Sequence, residues 1–335
     1  MKRLTVKDIA RRAGVSVTAV SFVLNNKPGV SEATRKKIQK IIDETDFKPN
    51  LNSKKLLLKK SFNICLIINP YSSPFEDLFY FEITRGILNK SRNYDYNIII
   101  SRPILSNSEL PDIVYSGDAD GIIFMQDIPP VLIDKAVACK LPFVIVDSHS
   151  RNNKVTSINP DYVTAAFDAT NYLIENGHTD IAVVSSKIVP DFYKQTLEGF
   201  KSAMSSRALP VKKEYTEIFA EDENSAYEAA KLLFKDPDHI PTAVLCTVYS
   251  FAIGVIQYIK EMNLSVPGDV SVIGIDDTLL SRYIEPKLTT VGIDKAGMGS
   301  MALDMLFDKI NGGKPESISL PMELIVRNSV SKITK

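Results

Sequence analysis

Cysteine and histidine are scarce in this chain, and long apolar runs are missing altogether. Cys65, Cys139 and Cys246 form an odd, widely scattered set, each in an apolar stretch. Such a set makes neither a disulfide framework nor a zinc site, so the three read as reduced core thiols. No metal and no cofactor are expected. His149, His178 and His239 have no Ser, Cys or Asp at a recognisable catalytic spacing. G-x-x-x-x-G-K-[ST], H-E-x-x-H and G-x-S-x-G are all absent, so the reading is that the chain is not an enzyme. His178 follows Gly177 where a helix would end and is assigned to a C-terminal cap. Gly297-Met298-Gly299-Ser300-Met301-Ala302 satisfies G-x-G-x-x-A, but no βαβ unit follows, and it reads as a helix start with small residues. No apolar run approaches the roughly 18 residues that cross a bilayer. Met1-Lys2-Arg3 leads into Thr5-Val6-Lys7-Asp8 and not into the apolar stretch of a signal peptide. A cytoplasmic protein without a membrane association is expected.

A length of 335 residues exceeds what one hydrophobic core usually supports. A small domain plus a large, divisible one is expected. The hydrophobic fraction of 44% is ordinary for a soluble globular protein. Zero net charge conceals an asymmetry: residues 1–60 carry 15 Lys+Arg against 5 Asp+Glu, or +10, leaving 25 against 35, or −10, for residues 61–335. The basic end suits a polyanion.

That end also has helical periodicity. Val6, Ile9, Ala10 and Ala13 share one face of a short helix, with Thr5 as N-cap and Asp8 completing a capping pattern. Gly14 permits a tight turn. Ser16 caps a second helix to about Asn25, with Val20, Val23 and Leu24 inward and Val17, Thr18, Ser21 and Phe22 on another face. Ser31 caps a third helix to about Thr45, buried through Ile38, Ile41 and Ile42. Three short helices with a Gly-containing first turn describe a helix-turn-helix unit, whose second helix enters a DNA major groove. Lys2, Arg3, Arg11, Arg35 and Lys36 are the candidate phosphate contacts. The expectation is an exposed Phe22 ring.

The run from Leu4 to Leu58, in particular VKDIARRAGVSVTAVSFVLN, KPGVSEATR and FKPN, resembles the headpiece of the lactose-repressor (LacI/GalR) family. The resemblance implies base contacts by Val17, Thr18 and Phe22. It also implies positioning or phosphate contacts by Ser16, Ser21 and Asn25, with Thr5, Lys2 and Arg3 beside them. Phe22 departs from the family's usual hydrogen-bonding residue there, and its ring suits a thymine methyl. Residues Asn50 to Leu56 resemble the family's hinge helix, with Asn50, Ser53 and Lys54 at the minor groove and Leu56 as its wedge. Leu51, Ser53 and Lys54-Lys55 are departures within that stretch.

From Phe62 onward, short β-rich runs such as Ile64 to Ile68, Gly121 to Phe124 and Val270 to Ile275 alternate with helical periods such as Glu82 to Ser91, Tyr162 to Asn176 and Phe251 to Glu261. This alternation means parallel sheets sandwiched by helices, in two lobes because the strands are too many for one. Ligands bind at the carboxyl ends of such strands, so facing lobes make a cleft. Several segments, among them VPGDVSVIGIDD (266–277), PKLTTV (286–291) and ELIVRNS (323–329), again resemble the lactose-repressor family, whose core is similar to periplasmic sugar-binding proteins. The resemblance implies crossovers near residues 160, 290 and 320, with a helix from Gly297 to Ile310 returning to the first lobe as a dimer-forming element. Candidate effector residues are Tyr71, Ser73, Phe75, Asp147, Asp161, Thr196, Tyr249 and Asp276; Asp277 is assigned to capping the following turn. Thr196 replaces a ligand-binding Arg of many relatives, and Val248-Tyr249 replaces an Asn-Asp pair. Both changes argue against an anionic effector and leave a more apolar pocket.

The expected architecture is therefore an α-helical helix-turn-helix headpiece (1–46), a hinge helix or linker (47–59) and an α/β two-lobed core of type I periplasmic-binding-protein-like parallel sheets (60–335). Lobe 1 spans about 60–160 and 292–319, and lobe 2 about 161–291 and 320–335. The expected function is a sequence-specific transcriptional regulator, a repressor, whose homodimer binds a palindromic double-stranded DNA operator and answers to a small-molecule effector, a sugar or sugar derivative. An effector-independent or partner-controlled DNA-binding regulator is the alternative. A sugar carrier or an enzyme on the same core is the remotest reading.

Overall fold

The computed structural model of the chain describes residues 4–24, 27–45, 47, 55, 58, 60–68, 77–103, 108–148, 155–236 and 238–333. Backbone contacts divide it into two compact units, Met1–Phe62 and Asn63–Lys335.

The first unit contains α1 (Val6–Ala13), α2 (Val17–Leu24) and α3 (Glu32–Glu44). Thr5 and Asp8 form a reciprocal capping box at the start of α1, and Gly14 ends that helix in the left-handed region at φ 63°. The Ala19 amide donates to Ser16 Oγ at 3.1 Å, and the Thr34 amide to Ser31 Oγ at 3.3 Å. Each such cap contributes about 1 kcal/mol by satisfying an amide the helix leaves unpaired. The three helices bury Ile9, Ala10, Ala13, Val20, Val23, Ile38 and Phe47 together. Leu24, Ile41 and Ile42 pack at the margin of this core and are only partly buried. Three short helices enclose too little volume to cover every apolar face.

The second unit holds two sheets. The first has the order β11-β5-β4-β3-β1-β2, from β1 (Asn63–Ile68), β2 (Asn97–Ser101), β3 (Gly121–Met125), β4 (Phe143–Val146), β5 (Ser157–Pro160) and β11 (Ile318–Leu320), every pair parallel. Beside it run α4 (Leu78–Ser91), α5 (Asp112–Tyr115) and α6 (Pro130–Ala138). The second has the order β12-β10-β9-β8-β6-β7, from β6 (Ile181–Ser185), β7 (Ile218–Phe219), β8 (Ala243–Cys246), β9 (Ser271–Ile275), β10 (Thr289–Gly292) and β12 (Glu323–Ile325). Only the β10–β12 pair in this sheet is antiparallel. Its helices are α7 (Tyr162–Glu175), α8 (Pro190–Ser206), α9 (Glu223–Leu233) and α10 (Tyr249–Glu261), and α11 (Lys295–Ile310) follows β10. Ala243 and Leu245 of β8 face α7 and α8, while Val244 and Cys246 face α9 and α10. This period-2 alternation between two helical layers makes the central strands apolar throughout.

The chain changes sheets after Pro160, after Gly292 and between Leu320 and Glu323. The three passages lie side by side: the Asp161 amide donates to Leu320 O at 2.9 Å, and Gly292 pairs with Glu323. Helix α11 packs on α4, β3 and β4. Contact there is close because two glycines interlock: a Cβ at Gly86 would overlap the Ala296 carbonyl, and one at Gly299 the Ile83 carbonyl. The G-x-G-x-x-A run thus serves helix packing.

Candidate functional site

Helix α2 offers an outer face without formal charge. Val17 is 45% exposed, and Thr18 and Ser16 are also exposed. Phe22 corrects the expectation of an exposed ring, for it is half-buried. A Cβ at Gly29, which sits at φ 112°, would lie 3.0 and 3.1 Å from ring atoms of Phe22. The absence of a side chain at Gly29 leaves room for the ring against the α2–α3 loop. The Thr5 hydroxyl donates to Asp8 Oδ2 at 2.7 Å, and Ser16 Oγ serves as cap acceptor. Ser21 is half-buried. Arg11 is exposed, as is Lys36, whereas Arg35 is half-buried and donates from Nη2 to Lys27 O at 2.7 Å, bracing the same loop. Lys7, Arg12 and Lys37, which the spacing argument passed over, are exposed as well. Lys2, Arg3, Asn25, Asn50, Ser53, Lys54 and Leu56 lie outside the described residues.

In the second unit the strand ends of both lobes carry strained positions. Gln126, Asp147 and Asp276 follow β3, β4 and β9 with φ of 69°, 59° and 72°. Each amide donates to the neighbouring strand, Gln126 to Val146 O, Asp147 to Ile158 O and Asp276 to Val291 O, each at 2.9 Å. Non-glycine residues in this region are uncommon and concentrate at functional sites.

Asp147 is 1% exposed. Its Oδ2 accepts from Tyr80 Oη at 2.6 Å and its Oδ1 from Tyr162 Oη at 3.0 Å. Tyr80 lies on α4 of lobe 1, and Tyr162 opens α7 within the core of lobe 2, edge-on to Phe192. Burial first, then the Asp147 charge, pushes both phenols well above their ordinary range, so both remain donors. Tyr249, the first residue of α10, is buried and its pKa is pushed up to about 12, by desolvation first and then by the Asp77 charge. Leu78, at the start of α4, packs against the core that contains Tyr249. Asp77 caps α4 by accepting the Phe79 amide at 2.8 Å. Burial raises the Asp77 pKa against that hydrogen bond.

Asp147, Tyr249 and Asp276 thus meet with Tyr80, Tyr162 and Asp77 in one electrostatic cluster. Asp161 and Thr196 act locally. Asp161 caps α7, its Oδ1 accepting the Thr164 amide at 3.0 Å and its Oδ2 the Thr164 hydroxyl at 2.8 Å. Thr196 is 1% exposed, and its hydroxyl reaches Phe192 O and Tyr193 O of its own helix, both at 3.1 Å. Tyr71, Ser73 and Phe75 lie outside the described residues. Asp277, expected to cap the following turn, instead spends its carboxylate on side chains. Its Oδ1 pairs with Arg327 Nη1 at 2.7 Å and accepts from Thr290 at 3.0 Å, and Arg282 Nη2 lies 3.3 Å from its Oδ2. Burial would raise its pKa, but the Arg327 hydrogen bond and charge outweigh that and hold it low. Lys295, also buried, donates to the Asp277 carbonyl. A cavity of about 480 Å³ opens beside the sheet-to-sheet passages, lined in part by Glu82, Arg282, Lys295, Met301 and Glu323.

Among the described residues no His, Cys, Asp and Glu group is arranged to hold a metal, and no helix is long and apolar enough to cross a membrane. The sequence pattern of bacterial regulatory proteins of the lacI family matches residues 5–50, and that of a periplasmic binding protein-like domain matches residues 170–330. Catabolite control protein A of Priestia megaterium is 32% identical over 97% of this chain and 99% of its own length. Among solved structures, the lac repressor dimer bound to operator and the anti-inducer ONPF superposes with a TM-score of 0.82 at 22% identity, covering 98% of this chain and 100% of that one. The regulator CelR in complex with cellobiose superposes with a TM-score of 0.71 at 24% identity, over 98% and 100% of the two chains. These two likenesses concern the fold, while the first relative is similar along its whole length. The chain belongs to the lacI family of bacterial regulatory proteins, and it is a DNA-binding regulator of transcription with a helix-turn-helix headpiece and a periplasmic-binding-protein-like core.

Proposed function

We propose that this chain is a cytoplasmic repressor, without catalytic activity, whose homodimer binds a pseudo-palindromic operator and is modulated by a carbohydrate-like effector between the lobes of its core. Support for the DNA half comes above all from α2, an uncharged reading face on a unit whose first sixty residues carry a charge of +10. Val17, Thr18 and Phe22 would meet base edges, with Ser16, Ser21, Asn25 and the headpiece cations on the backbone. Leu56 would enter the minor groove with Asn50, Ser53 and Lys54 beside it. Two-fold symmetry of the dimer, with α11 as one contributing element, would be mirrored in the operator.

The effector half is supported by the strained strand-end carboxylates Asp147 and Asp276 and by aromatic neighbours, an arrangement that suits hydroxyl-rich ligands. Lac repressor with ONPF and CelR with cellobiose show the fold holding small molecules. Operator selection from random duplexes with the purified protein tests the first half. Recovery of a palindrome that is no longer bound after deletion of residues 1–59 supports it, and unselective recovery overturns it. Thermal stabilisation by small carbohydrates, measured with and without the selected operator, tests the second. A true effector must show the same coupling factor from both sides.

A further inference from the structure

Its place beside Lys36 makes Arg35 a candidate phosphate contact, yet its guanidinium is engaged within the headpiece. Arg35 is half-buried on α3, and its Nη2 donates to Lys27 O at 2.7 Å. The Lys27 amide in turn donates to Phe22 O at 2.8 Å. Two hydrogen bonds that meet at Lys27 thus run from α3 to the backbone of α2 at Phe22. The Phe22 ring lies against Gly29 of the same loop. Lys27, Pro28 and Gly29 are exposed, so little apolar burial holds this segment, and Val30 is the loop residue that packs on the headpiece core. A hydrogen bond from a charged donor is stronger than one between neutral groups. The Arg35 bond therefore carries much of what ties the loop to α3.

We propose that Arg35 is a positioning residue for base readout: it holds the loop segment to which Phe22 is bonded and so sets operator specificity without touching DNA. This rests on the reading of α2 as the helix that meets the bases. The two roles open to Arg35 differ in what they stabilise. A phosphate contact adds affinity for any duplex, whereas holding a base-reading side chain in place adds affinity only for the right sequence.

The test uses the full chain, the operator it selects and an unrelated duplex, with affinities measured by fluorescence anisotropy across a salt series. Arg35→Met keeps the apolar stem and removes the donors. Its ratio of operator to unrelated affinity should fall about tenfold, while the slope of log K against log salt stays unchanged. In a Phe22→Ala background the same replacement should change the ratio by less than about twofold, because the side chain that Arg35 positions is gone. A slope reduced by about one makes Arg35 a phosphate contact and overturns the proposal. Equal losses on both duplexes at an unchanged slope reduce Arg35 to a support of headpiece folding, which also overturns it. An undiminished effect in Phe22→Ala overturns the route through Phe22. If Arg35→Met fails to fold, Arg35→Lys decides, since it keeps the charge but replaces the planar fork by a point donor. A lowered ratio in Arg35→Lys at an unchanged slope supports the proposal, and an unchanged ratio overturns it. Absence of selectivity in the unaltered chain would sink α2 as the reading helix and this inference with it; selectivity that Arg35→Met retains in full counts against Arg35 alone.

Discussion

Phe22 is the residue on which the proposed readout of the operator by the headpiece turns. Its ring lies against Gly29 and is half-buried. A methyl group removed from water is worth about 0.8 kcal/mol. Replacing the contacted operator thymines by uracil should therefore weaken binding about fourfold per methyl, as measured by fluorescence anisotropy; equal affinity would remove Phe22 from the readout. Gly29→Ala should lower headpiece stability by about 1–3 kcal/mol and weaken operator binding, because the new Cβ would press on the ring at a φ that L residues resist. A second residue reports on pH. His178 is buried, with Nδ1 at 3.1 Å from Thr242 Oγ1 and Nε2 at 3.1 Å from Ser331 O. Burial lowers its pKa from the ordinary 6.5, against the Ser331 hydrogen bond. The unfolded chain then takes up the proton first on acidification, so stability present above about pH 6.5 is lost as pH falls through the folded value. Denaturation midpoints from pH 7.5 to 5 should fall for the native chain and be flatter for His178→Gln; parallel curves would contradict this account.

At the scale of elements, helix packing sets the tightest constraint. Gly299→Ala would improve helix propensity by about 1 kcal/mol if the position faced solvent. The overlap with the Ile83 carbonyl reverses the sign, and a net loss of about 1–3 kcal/mol in urea denaturation is expected. A gain would mean that α4 and α11 do not interlock. The elements also show what a sequence makes legible. The headpiece helices were readable from capping and spacing, because caps involve residues three apart. The central strands were readable because burial on both faces leaves them apolar. Helix α4 was expected from Glu82 but begins at Leu78. The apolar run Leu78-Phe79-Tyr80-Phe81 has no helical period, and Tyr80 was missed with it. Asp147 could be picked out at a strand end, but its two phenol donors are 67 and 15 residues away in sequence and are brought to it only by the fold. Asp161 and Thr196 were plausible by type and place, yet a cap and a helix carbonyl take up their polar atoms. That competition between local and distant partners is settled in three dimensions.

For the whole molecule, the opposed charges of +10 and −10 on residues 1–60 and 61–335 divide the work of DNA binding. On this division the headpiece would supply counterion release, while the acidic remainder would repel duplex and restrain unspecific adsorption. Operator affinity should fall steeply with salt. Arg11→Ala and Lys36→Ala should each reduce the slope of log K against log salt by about one if each neutralises a phosphate. An unaltered slope would place both side chains away from the backbone.

The three neighbouring passages between the sheets carry a mechanical consequence. Two lobes joined by three adjoining passages that are hydrogen bonded to one another resist sliding there and move most readily by rotation about that seam. The angle between the lobes then becomes the only variable a bound molecule can set, and the displacement it produces grows with distance from the seam. Ligands of opposite effect should then differ in the angle they select, so a series of ligands should order along one coordinate.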